Sequence, residues 1–172
     1  MRRLILLRHA KSDWLDGASD LERPLAPRGR EAAPKMAAYL AAEGLIPDRV
    51  LVSPARRTQE TWDLVRPALG TVPDETVPQI YEAPVSRLLD VVHSLPDEVA
   101  TALMIGHNPG FQDLARLLSK PGDERRTLTK KYPTAGIAVI DLPVASWGEV
   151  EAGEGNVERF VTPKTLGHGE DE

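Results

Sequence analysis

The chain has 172 residues, of which 41% are hydrophobic and 27% charged, with a formal net charge of -5 and no cysteine. That length suits one domain built around a core of two or three layers. The missing cysteine excludes a disulfide framework, a thiol nucleophile and a zinc-thiolate site, and the negative balance argues against nucleic acid as the main partner, because binding a phosphate backbone needs a broad basic surface.

Residues 3 to 7, a continuous apolar run once past Arg3, read as a strand buried on both faces of a parallel sheet. The apolar residues after Met1-Arg2-Arg3 are too few for the roughly 7 to 15 of a secretory signal, and no stretch approaches the roughly 20 that span a membrane. A soluble, cytoplasmic protein without a membrane partner is expected. From Ser12 to Pro27 the composition turns to Asp, Gly, Ser and Pro, which predicts a long functional loop. In the stretch ending "AAYLAAEG", Ala32, Met36, Tyr39 and Leu40 recur at helical spacing, and Gly44 supplies a C-cap.

"RVLVS" (49 to 53) reads as a second buried strand, and residues 54 to 69 as a helix with Pro54 at its start. "TVPDETVPQIYEA" predicts a loop leading to an irregular or edge segment, residues 84 to 95 a third helix, and "TALMIGH" (101 to 107) a third buried strand. "NPGFQDLARLLS" predicts a fourth helix. Residues 121 to 131 are polar and read as a mobile stretch, "AGIAVIDL" (135 to 142) as a strand, and "SWGEV" with "VERFV" as an antiparallel edge hairpin. The domain is expected to span residues 1–166, with 167–172 as a flexible acidic tail. Strand and helix alternate, so the class is α/β with a mainly parallel sheet.

In such sheets ligands bind beyond the carboxyl ends of the strands. The first strand ends in Arg8-His9, the second in Ser53 with Arg57 one helical turn on, and the third in Gly106-His107-Asn108. If the strands are parallel neighbours, two histidines and two arginines converge. The planar fork of arginine matches phosphoryl oxygens, helix N-termini add N–H donors, a neutral histidine can attack phosphorus, and a second can stabilise the developing charge. No residue set suggests a metal or an organic cofactor.

The residues "LLRHAKS" at the first strand, "DLERPLAPRGREA" (20 to 32), "VLVSPARRTQET" (50 to 61) and "MIGHNPG" (104 to 110) together resemble the histidine phosphatase, or phosphoglycerate mutase-like, superfamily and its SixA-type branch. "KKYPTAGIAVIDL" and "VTPKTL" are similar to the same branch. The resemblance implies a three-layer α/β/α sandwich and a metal-independent phosphatase. It implies that His9 is the nucleophile that becomes phosphorylated, Arg8 and Arg57 phosphate ligands, and His107 the second histidine. Arg56 is a neighbour. Where many relatives have glycine after the Arg-His pair this chain has Ala10, followed by Lys11; Lys11 and Ser12 are candidates for orienting phosphate, with a surface role the alternative for Lys11.

Phosphomonoesterases of the family use a carboxylic acid to protonate a leaving alkoxide. Glu82 in "QIYEAP" is the first candidate and Asp13 the second, whereas Asp20 and Arg23 are expected to form an ion pair that shapes their loop. Imidazole, with a pKa near about 6.5, leaves without such help, so a site with a weak acid favours phosphohistidine. The expected substrates are therefore phosphohistidine proteins or other activated phosphates. A small-molecule phosphomonoesterase of the sugar phosphate type and a non-catalytic phosphate-binding module are the alternatives. Acid-base cleavage of RNA is disfavoured by the acidic charge and by 5% aromatic content. His93 and His168 are expected outside the site, and Arg125, Arg126, Lys130 and Lys131 to form a solvated basic patch.

Overall fold

The computed structural model describes residues 1–172. Six strands form one sheet: β1 (Arg2–Arg8), β2 (Arg49–Val52), β3 (Asp74–Thr76), β4 (Thr101–Gly106), β5 (Ile137–Leu142) and β6 (Asn156–Val161). Their spatial order is β3-β2-β4-β1-β5-β6. β1, β2, β3 and β4 run parallel, while β5 lies antiparallel to β1 and β6 antiparallel to β5. Five helices complete the chain: α1 (Pro27–Ala42), α2 (Arg56–Leu69), α3 (Val85–His93), α4 (Gly110–Leu118) and α5 (Asp123–Lys130).

Successive side chains of a strand point to opposite faces, so an unbroken apolar run feeds two cores at once. Ile5 and Leu7 pack with Met36 and Leu40 of α1 and Trp62 and Val65 of α2. Leu4 and Leu6 face the other way, onto Leu88 of α3 and Phe111 and Leu114 of α4. The result is the expected three-layer α/β/α sandwich. The buried stripe of α1 is Gly29, Ala33, Met36, Ala37 and Leu40, with Ala32 and Tyr39 at its half-buried margin. The helix stops as expected: Gly44 adopts φ 69°, and Leu45 N–H reaches back to Leu40 O at 2.8 Å. No helix is long and apolar enough to cross a membrane.

Two expectations are corrected. The polar stretch from 121 to 131 contains α5, which buries only Leu128 and therefore lacks an amphipathic signature. It is held instead by polar contacts, with Gln112 Nε2 donating to Leu128 O (2.8 Å) and Phe160 N–H donating to Glu124 Oε2 (3.1 Å). "SWGEV" is not a strand: Trp147–Glu149 form a 3-10 turn that sinks the Trp147 ring into the core, its Nε1–H on Val99 O at 2.7 Å. The antiparallel hairpin is β5 with β6. Residues 167–172 turn back on the body, where the Glu172 carboxylate meets Arg28 (2.9 Å) and Lys11 (3.5 Å).

The order β2-β4-β1 fixes the position of the site. Arg8 pairs with Gly106 and Val52 with Ile105, so the carboxyl ends of three parallel strands finish side by side.

Candidate active site

His9 follows directly on β1 and is 7% exposed. Its N–H donates to Gly106 O (3.0 Å), which ties it to the end of β4. The turn before β5 grips the same backbone: Ala135 N–H reaches Arg8 O (3.1 Å) and His9 O (3.0 Å). To do so Ala135 takes φ 61°, a left-handed conformation that costs a residue with a Cβ about 1–2 kcal/mol. His9 Nδ1 lies 2.7 Å from Ala10 O. A carbonyl only accepts, so Nδ1 carries the proton and Nε2 keeps its lone pair. Burial pushes the His9 imidazole well below its ordinary pKa. His107, Arg8 and Arg57 push the same way, against the Ala10 hydrogen bond.

His107 follows β4, its ring centroid 5.5 Å from that of His9. Its Nε2 is 2.7 Å from Ser53 Oγ, at the end of β2. We assign the Ser53 hydroxyl as donor to Nε2, which puts the His107 proton on Nδ1, the tautomer that an anion in the cluster would favour. Burial first, then Arg57 and Arg8, lower this imidazole to about 4, with Asp20 opposing.

Arg8 donates through Nη1 to Tyr132 O at 2.8 Å. Arg57, in the first turn of α2 and 6% exposed, donates through Nη1 to Asp20 O (2.7 Å) and through Nη2 to Asp20 Oδ2 (3.1 Å). Arg8 Nε, Arg57 Nε and His107 Nδ1 are all buried without a hydrogen-bond partner. A buried donor left without an acceptor costs about 1–3 kcal/mol, so their gathering in one cluster calls for an anion. A cavity of about 460 Å³ adjoins two of these residues, lined by Arg57, His107, Asn108, Tyr81 and Glu82 among others. Asn108, one of the lining residues, donates through Nδ2 to Tyr132 O at 3.2 Å.

The remaining candidates divide. Glu82 lines the cavity but is exposed at its mouth, in a left-handed conformation with φ 51°. The Lys11 ammonium is engaged with Glu172, and Ser12 Oγ accepts from Arg23 Nη2 at 2.7 Å, so both serve the loop and the tail. Asp13 is exposed and accepts from Trp14 N–H (3.0 Å). Arg56 pairs with Glu60 at 3.3 Å on the exposed side of α2. His93 Nε2 lies 2.8 Å from Val150 O, remote from the cluster. Of the basic patch, Arg126 pairs with Asp123 and Arg125 donates to Arg116 O (3.3 Å).

Asp20 and Arg23 form the expected ion pair at 3.1 Å, but Asp20 does more. Its Oδ2 also accepts from Tyr81 O–H at 2.5 Å. The Tyr81 hydroxyl, with Arg23 and Arg57, holds this carboxyl at about 2 despite partial burial. Tyr81 and Tyr132 are parts of the cluster that the sequence does not reveal, while Ser53 is marked there only as a strand end and Asp20 only as half of a loop ion pair. The signal available for Tyr81 is its place beside Glu82.

Both site histidines are therefore neutral in the folded protein at pH values where a free imidazole is half charged. Imidazole NMR at about pH 6 should show the His9 and His107 rings uncharged; a charged ring at either would refute the burial argument. The stability consequence has a definite sign. Between 6.5 and about 4 the unfolded chain holds a proton on His107 that the folded chain lacks, so stability falls as pH drops through that window and is unaffected by this group above it. The urea midpoint should be lower at about pH 4.5 than at pH 7, and His107→Gln should reduce the difference.

The histidine phosphatase superfamily (branch 1) family model matches residues 4–95. His107 lies beyond that span and joins the cluster through the β1–β4 register. An uncharacterised protein of Mycobacterium tuberculosis is 33% identical over 162 residues, 92% of this chain and 100% of its own. The phosphohistidine phosphatase SixA of Escherichia coli is 32% identical over 166 residues, 95% of each chain. A solved structure of the protein histidine phosphatase SixA complexed with tungstate matches with a TM-score of 0.79 at 28% identity, covering 95% of this chain and 99% of that one. With a likeness that runs nearly the full length in both sequence and fold, the chain belongs to the histidine phosphatase superfamily, branch 1, among the SixA phosphatases.

Proposed function

We propose that the protein removes phosphoryl groups from phosphohistidine in other proteins through a phosphorylated His9. One contrast carries this reading. The cluster holds a neutral histidine and three unpartnered donors, yet the carboxyl paired with Arg57, Asp20, is held ionised down to about 2, and Glu82 stands exposed at the mouth. Such a site binds phosphoryl oxygens well and protonates a leaving alkoxide poorly.

Arg8 Nε–H, Arg57 Nε–H and His107 Nδ1–H donate to the phosphoryl oxygens, satisfying each orphaned group at once. The Nε2 lone pair of His9 attacks phosphorus, and the electron pair of the breaking P–N bond returns to the substrate ring. Because Nδ1–H of His9 is fixed on Ala10 O, the nucleophile needs no base. Water then attacks phospho-His9, releasing inorganic phosphate and regenerating the imidazole. The binding of tungstate by the related SixA structure fits an anion site of this kind.

The test compares release of phosphate from a phosphohistidine protein and from an alkyl phosphate ester, by wild type and by Glu82→Gln. Phosphohistidine should exceed the ester in kcat/KM by about two orders of magnitude or more, and the substitution should change the phosphohistidine rate by less than about threefold. Comparable ester turnover that collapses in Glu82→Gln would instead assign Glu82 as a working general acid and a small molecule as substrate.

A further inference from the structure

We infer that Asp20 recognises the leaving imidazole of the substrate, accepting a hydrogen bond from the protonated ring nitrogen not bonded to phosphorus. The inference deepens the proposed function and rests on it.

A carboxylate this close to a phosphate site is a physical problem. The Asp20 carboxylate accepts one terminal N–H of Arg57 and its main-chain carbonyl another, so its charge stands one guanidinium away from phosphoryl oxygens bound by Arg57 and repels them. Shaping the loop does not require this, because the ion pair with Arg23 uses Oδ1 alone. Aligning Arg57 does not require it either, because the main-chain carbonyl of residue 20 already accepts from Nη1. A negative charge in such a place is useful when the substrate carries a positive one beside its phosphate. Phosphohistidine with a protonated ring does so, and an alkyl or aryl phosphate does not.

The carboxylate also has capacity. An ionised carboxyl offers about four acceptor positions. Tyr81 and Arg57 take two on Oδ2, and Arg23 takes one on Oδ1, which leaves one open on Oδ1. The side chain is 40% exposed, so that position is accessible from outside. The groups around it are Arg57 from α2, Arg23 from its own loop, Tyr81 and Glu82 from the turn after β3, and His107 from the end of β4.

The chemistry balances without another reactant. His9 Nε2 forms the new P–N bond while the substrate P–N bond breaks, its electron pair returning to the ring nitrogen. A ring that already carries a proton on its other nitrogen leaves as neutral imidazole. A ring without that proton would have to leave as an anion. By favouring the protonated ring, Asp20 raises the reactive fraction at pH values above about 6.5, where a free ring is mostly neutral.

The experiment measures kcat/KM for Asp20→Asn and Asp20→Glu against a phosphohistidine protein and an aryl phosphate at about pH 6 and pH 8. Asparagine keeps the main-chain contact to Arg57 and removes the charge. The expected result is a loss of about 10- to 100-fold on phosphohistidine at pH 8, the range of one charged hydrogen bond, that shrinks at pH 6. Aryl phosphate turnover should fall at least about tenfold less than phosphohistidine turnover and by the same factor at both pH values, a thermal melt reports that the variant is folded, and Asp20→Glu should recover part of the phosphohistidine rate. Equal losses on both substrates at both pH values would overturn the inference and reduce Asp20 to a support for Arg57, and no loss on either would overturn it as well. If wild type itself fails to turn over phosphohistidine, the proposed function falls first and this inference with it.

Discussion

Replacing His9 with alanine is expected to lower turnover of any phosphate substrate by at least about four orders of magnitude and to abolish transfer of a radiolabelled phosphoryl group to the protein. The size of the effect follows from the absence of a second group able to take its place. His107 is the other imidazole in the cluster, but its Nε2 is hydrogen-bonded to Ser53 Oγ and its Nδ1, in the assigned tautomer, carries the proton, so it has no free lone pair to offer phosphorus. The donors of Arg8, Arg57 and His107 remain in the variant, so tungstate should still bind His9→Ala within about tenfold of wild type. Retained label, acid-labile and on another residue, would move the nucleophile elsewhere.

The second large effect is expected at Arg57. Lysine at this position keeps a positive charge but loses the planar fork. Arg57 uses one N–H of each terminal nitrogen on Asp20 and leaves its buried Nε–H for phosphate, and an ammonium at the end of a flexible stem cannot do both. Arg57→Lys should therefore lower kcat/KM by about 10²- to 10³-fold, the range seen for loss of one transition-state donor. It should also weaken tungstate inhibition in parallel. Opposite behaviour of the two variants toward tungstate separates attack at phosphorus from binding of its oxygens. If Arg57→Lys keeps wild-type tungstate affinity, the phosphate-ligand assignment of Arg57 fails.

Arg8, His9, Arg57 and His107 were legible in the sequence because each sits at or just after the end of a short apolar run, and such runs in an α/β chain become adjacent strands whose ends coincide. The contacts that tune those four residues were not legible, because they cross long stretches of chain. Tyr132 O holds Arg8 across 124 residues, and Tyr81 reaches Asp20 across 61. Neither tyrosine lies in a pattern that periodicity can read. The helix at 123–130 was missed for a related reason: one buried leucine gives no stripe, and the element depends on hydrogen bonds from its neighbours. "SWGEV" misled in the opposite direction, since a fully buried tryptophan flanked by polar residues imitates a strand.

The β1–β4 pairing fixes the backbone at His9 and His107 through sheet hydrogen bonds, while Asp20, Tyr81 and Glu82, the groups proposed to meet whatever departs, belong to the connections that follow β1 and β3. The scaffold is therefore divided into a fixed chassis and exchangeable fittings. Grafting residues 12–26 or 77–84 from a phosphatase of different taste should retarget the protein without rebuilding its chemistry, and laboratory evolution toward new phosphates should accumulate its changes in those two segments before it touches a strand.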